Sequence, residues 1–195
     1  MIPVSESLRK RTQEEIAAGV LNLESLQSLP RHPISVICEN IRSLYNVGSI
    51  FRTADALRLE KIYLCGYTGH PPRKEIDKVA LGAVDSVPWE YRPEATEVIR
   101  VLRAQGTEVL ALEHTTHSRS IQEYPYQFPV AMVLGHECDG ITTDLVSLCD
   151  GAIEIPMHGI KQSLNVATAF GVAGYEILRH YQVAQQGSNS VNSEG

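Results

Sequence analysis

From Ile34 onward the chain alternates strand-like apolar runs with helix-like stretches, and this alternation limits its possible folds more than any other feature. The runs fall at 34–38, 61–65, 86–91, 107–113, 130–135 and 152–155, the pattern of a parallel sheet with crossover helices on both faces. The reading is a single α/β domain over 31–184. A helical extension over 1–30 precedes it. A tail over 185–195, made largely of Gln, Ser, Asn and Gly, is expected to be disordered.

A chain of 195 residues, 43 % hydrophobic and 21 % charged, can bury a full core as one soluble domain. No apolar run approaches the roughly 18–20 residues needed to span a bilayer, and Met1–Glu6 lacks the layout of a secretion signal. A cytoplasmic protein with no membrane partner is expected. Cys38, Cys65, Cys138 and Cys149 form no C-x-x-C pair, so they read as small buried hydrophobes rather than a disulfide or zinc framework. The net charge of −6, from 17 basic and 23 acidic residues, argues against a broad nonspecific nucleic-acid surface. Any RNA must meet a local patch.

Within the extension, residues 5–29 read as a helix with Leu8, Ile16, Val20, Leu23 and Leu26 apolar, and Arg9-Lys10-Arg11 is the densest basic cluster. The helix after the first strand places Val47, Ile50, Phe51, Ala54 and Leu57 on one stripe, which leaves Arg52 and Asp55 on a different face. The last helix, over about 163–185, carries Leu164, Ala167, Phe170, Ala173 or Gly174, Ile177 and Tyr181 on one side. Its small Ala169, Gly171 and Gly174 would suit a helix-on-helix dimer contact.

Polar residues cluster at three places: Asn46 to Asp55 at the head of a helix, Gly135 to Gly140 after an apolar strand, and Ser163 to Asn165 before the last helix. Helix starts leave backbone N–H groups without partners, a geometry suited to holding a ligand. Ser163 and Asn46 could equally be plain N-caps, Asn165 a solvated first-turn residue and Glu137 a loop carboxylate. Cys38 to Asn46 stand where a dinucleotide fold would carry G-x-G-x-x-G, and no P-loop occurs. His136-Glu137-Cys138-Asp139 has no partner motif to complete a metal site, and His114 and His117 read as a loop pair, so no metal is expected.

Taken in order, these clusters resemble the three motifs of the SpoU/TrmH branch of the SPOUT superfamily, RNA ribose 2′-O-methyltransferases that use S-adenosylmethionine. The first is an Asn, five residues and an Arg, seen as Asn46 to Arg52; the second is Gly135-His136-Glu137. The third is Ile155-Pro156-Met157 followed after five residues by Ser163-Leu164-Asn165-Val166. The likeness spans about residues 34–181 and implies a parallel sheet whose C-terminal segment forms a deep trefoil knot, an exception to the general absence of knots. It also implies a homodimer with active sites at the subunit interface.

The resemblance assigns Gly135, Ile155, Leu164, His114 and Met157 to the cofactor, and Arg52, Asn46, Glu137, Ser163 and Asn165 to catalysis. A ribose hydroxyl is a poor nucleophile, so it must be oriented and its developing negative charge stabilised. A guanidinium stays charged at neutral pH, which suits Arg52 to electrostatic and positioning work rather than to proton abstraction. Arg9, Lys10, Arg11, Arg42, Lys161 and Arg179 are the candidates for phosphate contacts. The short helical extension resembles that of stand-alone tRNA enzymes, so tRNA is expected ahead of rRNA, with a non-catalytic RNA-binding scaffold as the alternative from another class.

Overall fold

A computed structural model describes residues 8–191. The described residues up to Pro30 form one compact unit and those from Arg31 another. In the first, α1 (Gln13–Ala17) and α2 (Leu23–Ser28) replace the single helix expected over 5–29. Thr12 and Glu15 form a capping box that sets the start of α1, Gly19 weakens its continuation, and Asn22 starts α2 by accepting the Ser25 N–H at 2.7 Å. Leu8, Ile16, Val20 and Leu23 are exposed. Residues 1–7 of the expected extension lie outside the described residues.

The second unit runs β1 (His32–Glu39), α3 (Leu44–Ala56), β2 (Leu59–Cys65), α4 (Lys74–Ala80), α5 (Ala83–Ser86), β3 (Trp89–Arg92) and α6 (Ala95–Ala104). It continues through β4 (Glu108–Leu112), β5 (Arg119–Ser120), β6 (Val130–Leu134), α7 (Thr143–Val146), β7 (Gly151–Glu154) and α8 (Val166–Val191). The strands form one parallel sheet in the order β3-β2-β1-β6-β4-β7-β5. Helices cover both faces, as the alternation predicts.

Side chains on a strand alternate between faces, and the core divides accordingly. Ile34, Val36 and Cys38 of β1 and Val130, Met132 and Leu134 of β6 pack with Phe51 of α3, Ile76 of α4 and Phe170 of α8. Ile37, Val109, Ala131 and Val133 face the other way, against Val98, Ile99 and Leu102 of α6 and Leu145 of α7. The α3 stripe Val47, Ile50, Phe51, Ala54 and Leu57 is fully buried; each large member contributes about 1.5–3 kcal/mol by leaving water.

Some expectations change here. The run at 86–91 is divided: α5 takes Ala83–Ser86 and β3 starts at Trp89, after Pro88, which has no N–H to give a ladder. Rather than ending near 185, α8 continues through Val191, against the low helix propensity of Gly187-Ser188-Asn189-Ser190. The remainder of the expected tail, 192–195, lies outside the described residues. A Cβ on Gly174 would stand 2.7 Å from Leu57 Cδ1, so the small-residue face of α8 meets α3 of its own chain. Cys38 and Cys65 are buried as expected, but Cys138, in the turn after β6, is exposed. Among the described residues, no helix is long and apolar enough to cross a membrane.

Candidate active site

The C-terminal ends of β4, β6 and β7 open into a cleft of about 670 Å³. That edge is where ligands bind in open parallel sheets. All the residues assigned to the cofactor line it: Gly135, His114, Ile155, Met157 and Leu164, together with Ser163 and Glu137. Gly135 follows β6 beneath a tight turn in which the His136 N–H donates to the Gly140 carbonyl at 3.1 Å and the Gly140 N–H returns to the His136 carbonyl at 3.0 Å. A Cβ on Gly135 would lie 2.3 Å from the Gly140 carbonyl carbon and 2.5 Å from the Ile141 nitrogen. Backbone cannot yield there, so the close approach requires glycine.

The opposite wall is pinned by His114, whose Nε2 donates to the Gln162 carbonyl at 2.9 Å and whose Nδ1 lies 3.3 Å from Glu154 Oε2. The Ser118 hydroxyl also donates to Glu154. The Ser118 hydroxyl first, and the His114 ring after it, hold the Glu154 carboxyl below the usual carboxylate range. Glu113 accepts the Ile141 N–H at 3.0 Å and the His114 N–H at 2.9 Å, tying the loops after β4 and β6 together. Sequence reasoning missed both carboxylates. Their position at the ends of parallel strands is the signal that could have found them.

Beside the cleft, a polar relay joins the three motifs. Glu137 accepts the Arg42 N–H at 3.0 Å, the Ser43 N–H at 2.9 Å and one N–H of Asn46 Nδ2 at 2.9 Å. Asn46 Oδ1 accepts from Asn165 Nδ2 at 3.1 Å, and Asn165 Oδ1 accepts the Ala167 and Thr168 N–H groups at 3.0 and 3.3 Å. Because ionised Glu137 only accepts, it fixes the orientation of Asn46 and, through it, that of Asn165. Partial burial works against the Glu137 charge, but the Arg42 and Ser43 N–H groups and Asn46 outweigh it and hold its carboxyl low.

The caps differ from expectation. Ser43, not Asn46, caps α3, accepting the Asn46 N–H at 3.3 Å. Asn165, not Ser163, caps α8, and Ser163 stays exposed on the cleft. With Ser43 capping, Asn46 lies in the first turn and its side chain is free to reach Glu137 and Asn165. Glu137 is therefore no loose loop carboxylate: it complements the positive end of the α3 dipole.

Arg52 lies outside this network. It is exposed on α3, does not line the cleft, and its side chain forms no hydrogen bond or ion pair among the described residues. Of the phosphate candidates, Arg9 is paired with Glu15 at 2.6 Å and Arg179 with Glu176 at 2.7 Å. Lys10, Arg11, Arg42 and Lys161 are exposed, with side chains unpaired among the described residues.

Residues 33–175 match the family model described as the SpoU rRNA Methylase family. A tRNA (guanosine(18)-2′-O)-methyltransferase of Thermus thermophilus is 30 % identical over 172 residues, covering 88 % of this chain and 86 % of that protein. Among solved structures, the TrmH/SpoU tRNA modifying enzyme of A. aeolicus superposes with a TM-score of 0.75 at 26 % identity, covering 84 % of this chain and 82 % of that one. An AdoMet-bound rRNA methyltransferase from Sinorhizobium meliloti gives 0.71 at 31 % identity, covering 80 % and 60 %.

The cleft suits such a methyl donor. Its volume is that of a small-molecule site, its walls mix apolar Leu112, Leu134, Ile141 and Val166 with backbone polar groups, and Glu113 and Glu154 give it a field that favours a cation. The chain belongs to the SpoU family of knotted RNA ribose 2′-O-methyltransferases, which take their methyl group from S-adenosylmethionine.

Proposed function

We propose that this chain acts as a homodimer in the cytoplasm and methylates a ribose 2′-hydroxyl of tRNA. The observation that carries the assignment of roles is the relay from Glu137 through Asn46 to Asn165, which makes one rigid polar corner from three distant parts of the sequence. Bound in the cleft by Gly135, His114, Ile155, Met157 and Leu164, S-adenosylmethionine supplies a methyl group activated by its sulfonium. The chain's own task is to orient the hydroxyl and to stabilise the charge that develops on its oxygen as its proton leaves to solvent.

Asn46 and Asn165 each keep a second amide N–H beyond the relay, available to a ribose or phosphate oxygen. Ser163, on the cleft, serves the ribose or the methyl donor. Arg52 holds the neighbouring phosphate and steadies the developing oxyanion, work for a fixed cationic fork rather than a base. That it does not line its own cleft supports a reading in which the active site is shared between two subunits. Exposed Val172, Tyr175 and Ile160 offer apolar surface for that second subunit.

The tRNA assignment is supported by the Thermus relative, which matches most of this chain. Of the phosphate candidates, Lys10, Arg11, Arg42 and Lys161 are unpaired among the described residues, with Arg9 and Arg179 available on exchange of their carboxylate partners. Mapping 2′-O-methyl marks in total RNA from cells with and without the gene tests it. Loss of one tRNA mark is expected; loss of an rRNA mark instead would move the substrate to the ribosome. No lost mark, with no uptake of the methyl donor by calorimetry, would leave an RNA-binding scaffold.

A further inference from the structure

The turn after β2 holds an aromatic ring beside the cleft that the motifs leave unexplained. Tyr67 is 62 % exposed, and its ring stands at 72° to that of His136, centroids 6.3 Å apart, where His136 lines the cleft. The backbone beneath it is fixed from both sides. Its N–H donates to Asn40 Oδ1 at 3.1 Å, and the Tyr91 hydroxyl donates to the Gly66 carbonyl at 3.0 Å. Thr68, 2 % exposed, donates to the Cys38 carbonyl at 2.9 Å and accepts the Ile41 N–H at 3.0 Å.

The anchoring takes one residue other than glycine, Asn40, into the left-handed region. Asn40 has φ 58° and Gly66 φ 62°, and a Cβ on Gly66 would stand 2.0 Å from Asn40 Oδ1. Strain of this kind persists where the surroundings impose it, and it clusters at ligand sites. The core gains little from a ring left so exposed. An aromatic with free surface on an anchored backbone is, however, what stacking on a base needs, since less backbone entropy remains to be lost.

Cations flank the ring in sequence. Arg42 follows Asn40 by two residues, and Arg73-Lys74 follow the turn; all are exposed, with side chains unpaired among the described residues. Resting on the methyltransferase reading, we propose that Tyr67 is the stacking platform for an unpaired nucleobase of the RNA substrate, with Arg42 and Arg73-Lys74 as phosphate contacts on either side. The platform continues the cleft through His136. It positions the base while the relay and Arg52 act on the sugar.

The probe is a short single-stranded RNA carrying 2-aminopurine, whose fluorescence falls when it stacks on a ring. With the full-length protein, quenching is expected for the unaltered chain and for Tyr67→Phe, and its loss for Tyr67→Ala, with binding weakened about 5- to 150-fold. S-adenosylmethionine binding, read by calorimetry, stays the same in all three. On unmodified tRNA transcripts, Tyr67→Ala raises KM far more than it lowers kcat, and Tyr67→Phe restores KM. Equal quenching and affinity for Tyr67→Ala, or no quenching by any form, overturns the platform. Failure of the unaltered chain to take up the methyl donor would instead strike the methyltransferase reading, with the quenching result standing separately.

Discussion

Glu137→Gln preserves shape and removes one charge, which isolates what the carboxylate does at the head of α3. The carboxylate accepts three hydrogen bonds: the Arg42 N–H on Oε2, and the Ser43 N–H and Asn46 Nδ2 on Oε1. An amide offers a single oxygen, so if it keeps Ser43 and Asn46, its NH₂ faces the Arg42 N–H, donor against donor. Loss of the charge at the helix N-terminus costs about 0.3–1 kcal/mol. Loss of one bond at a site open to water adds about 0.5–1.5 kcal/mol. The sum, about 1–2.5 kcal/mol, lowers Tm by about 2–10 °C for a chain of this size.

Acid supplies the control. The folded Glu137 carboxyl is held below its ordinary value, so its contribution is fully present above the unfolded pKa of about 4.3 and is lost as pH falls through the lower folded value. The Tm gap between the two proteins is therefore wide at neutral pH and closes below about pH 4. Differential scanning calorimetry across pH 3–7 on both proteins reads it. Equal Tm at pH 7, or a gap that widens in acid, would refute the reasoning.

Arg52→Lys keeps the charge and loses the fork, so single-turnover methylation should slow by at least about 10-fold while calorimetric binding of S-adenosylmethionine is unchanged; near-full turnover would remove the need for a guanidinium. Gly135→Ala forces a methyl into the Gly140 backbone, and loss of methyl-donor binding together with about 1–3 kcal/mol of stability is expected in calorimetry and denaturant unfolding. Reversing Arg9, Lys10 and Arg11 to Glu together should weaken tRNA binding and flatten its salt dependence by about 2–3 in slope, measured by filter binding. Unchanged binding would take the extension out of RNA capture.

What could be read in the sequence was what repeats. The strand runs and the α3 stripe follow from periodicity, and the buried face Val47, Ile50, Phe51, Ala54 and Leu57 lies where the 3.6-residue period puts it. The cleft residues came from motif resemblance, since nothing in the spacing of Gly135, Ile155 and Leu164 alone shows that one cleft gathers them. Residue type does not settle the caps, since it favours Ser, Asn and Asp alike; which of Ser43 and Asn46 caps depends on Glu137, 91 residues beyond Asn46. The break between α1 and α2 turned on a single glycine and a cap. Glu113, Glu154 and Tyr67 carry no local pattern, and only the sheet order shows that they border one cleft.

The most direct measurement is the fate of a labelled methyl group. Purified protein is incubated with methyl-labelled S-adenosylmethionine and unmodified tRNA, and the RNA is then digested with alkali, which cannot cleave next to a methylated 2′-oxygen. Label recovered in alkali-resistant dinucleotides is the predicted result. Label released in mononucleotides, the mark of a methylated base, would contradict transfer to the sugar.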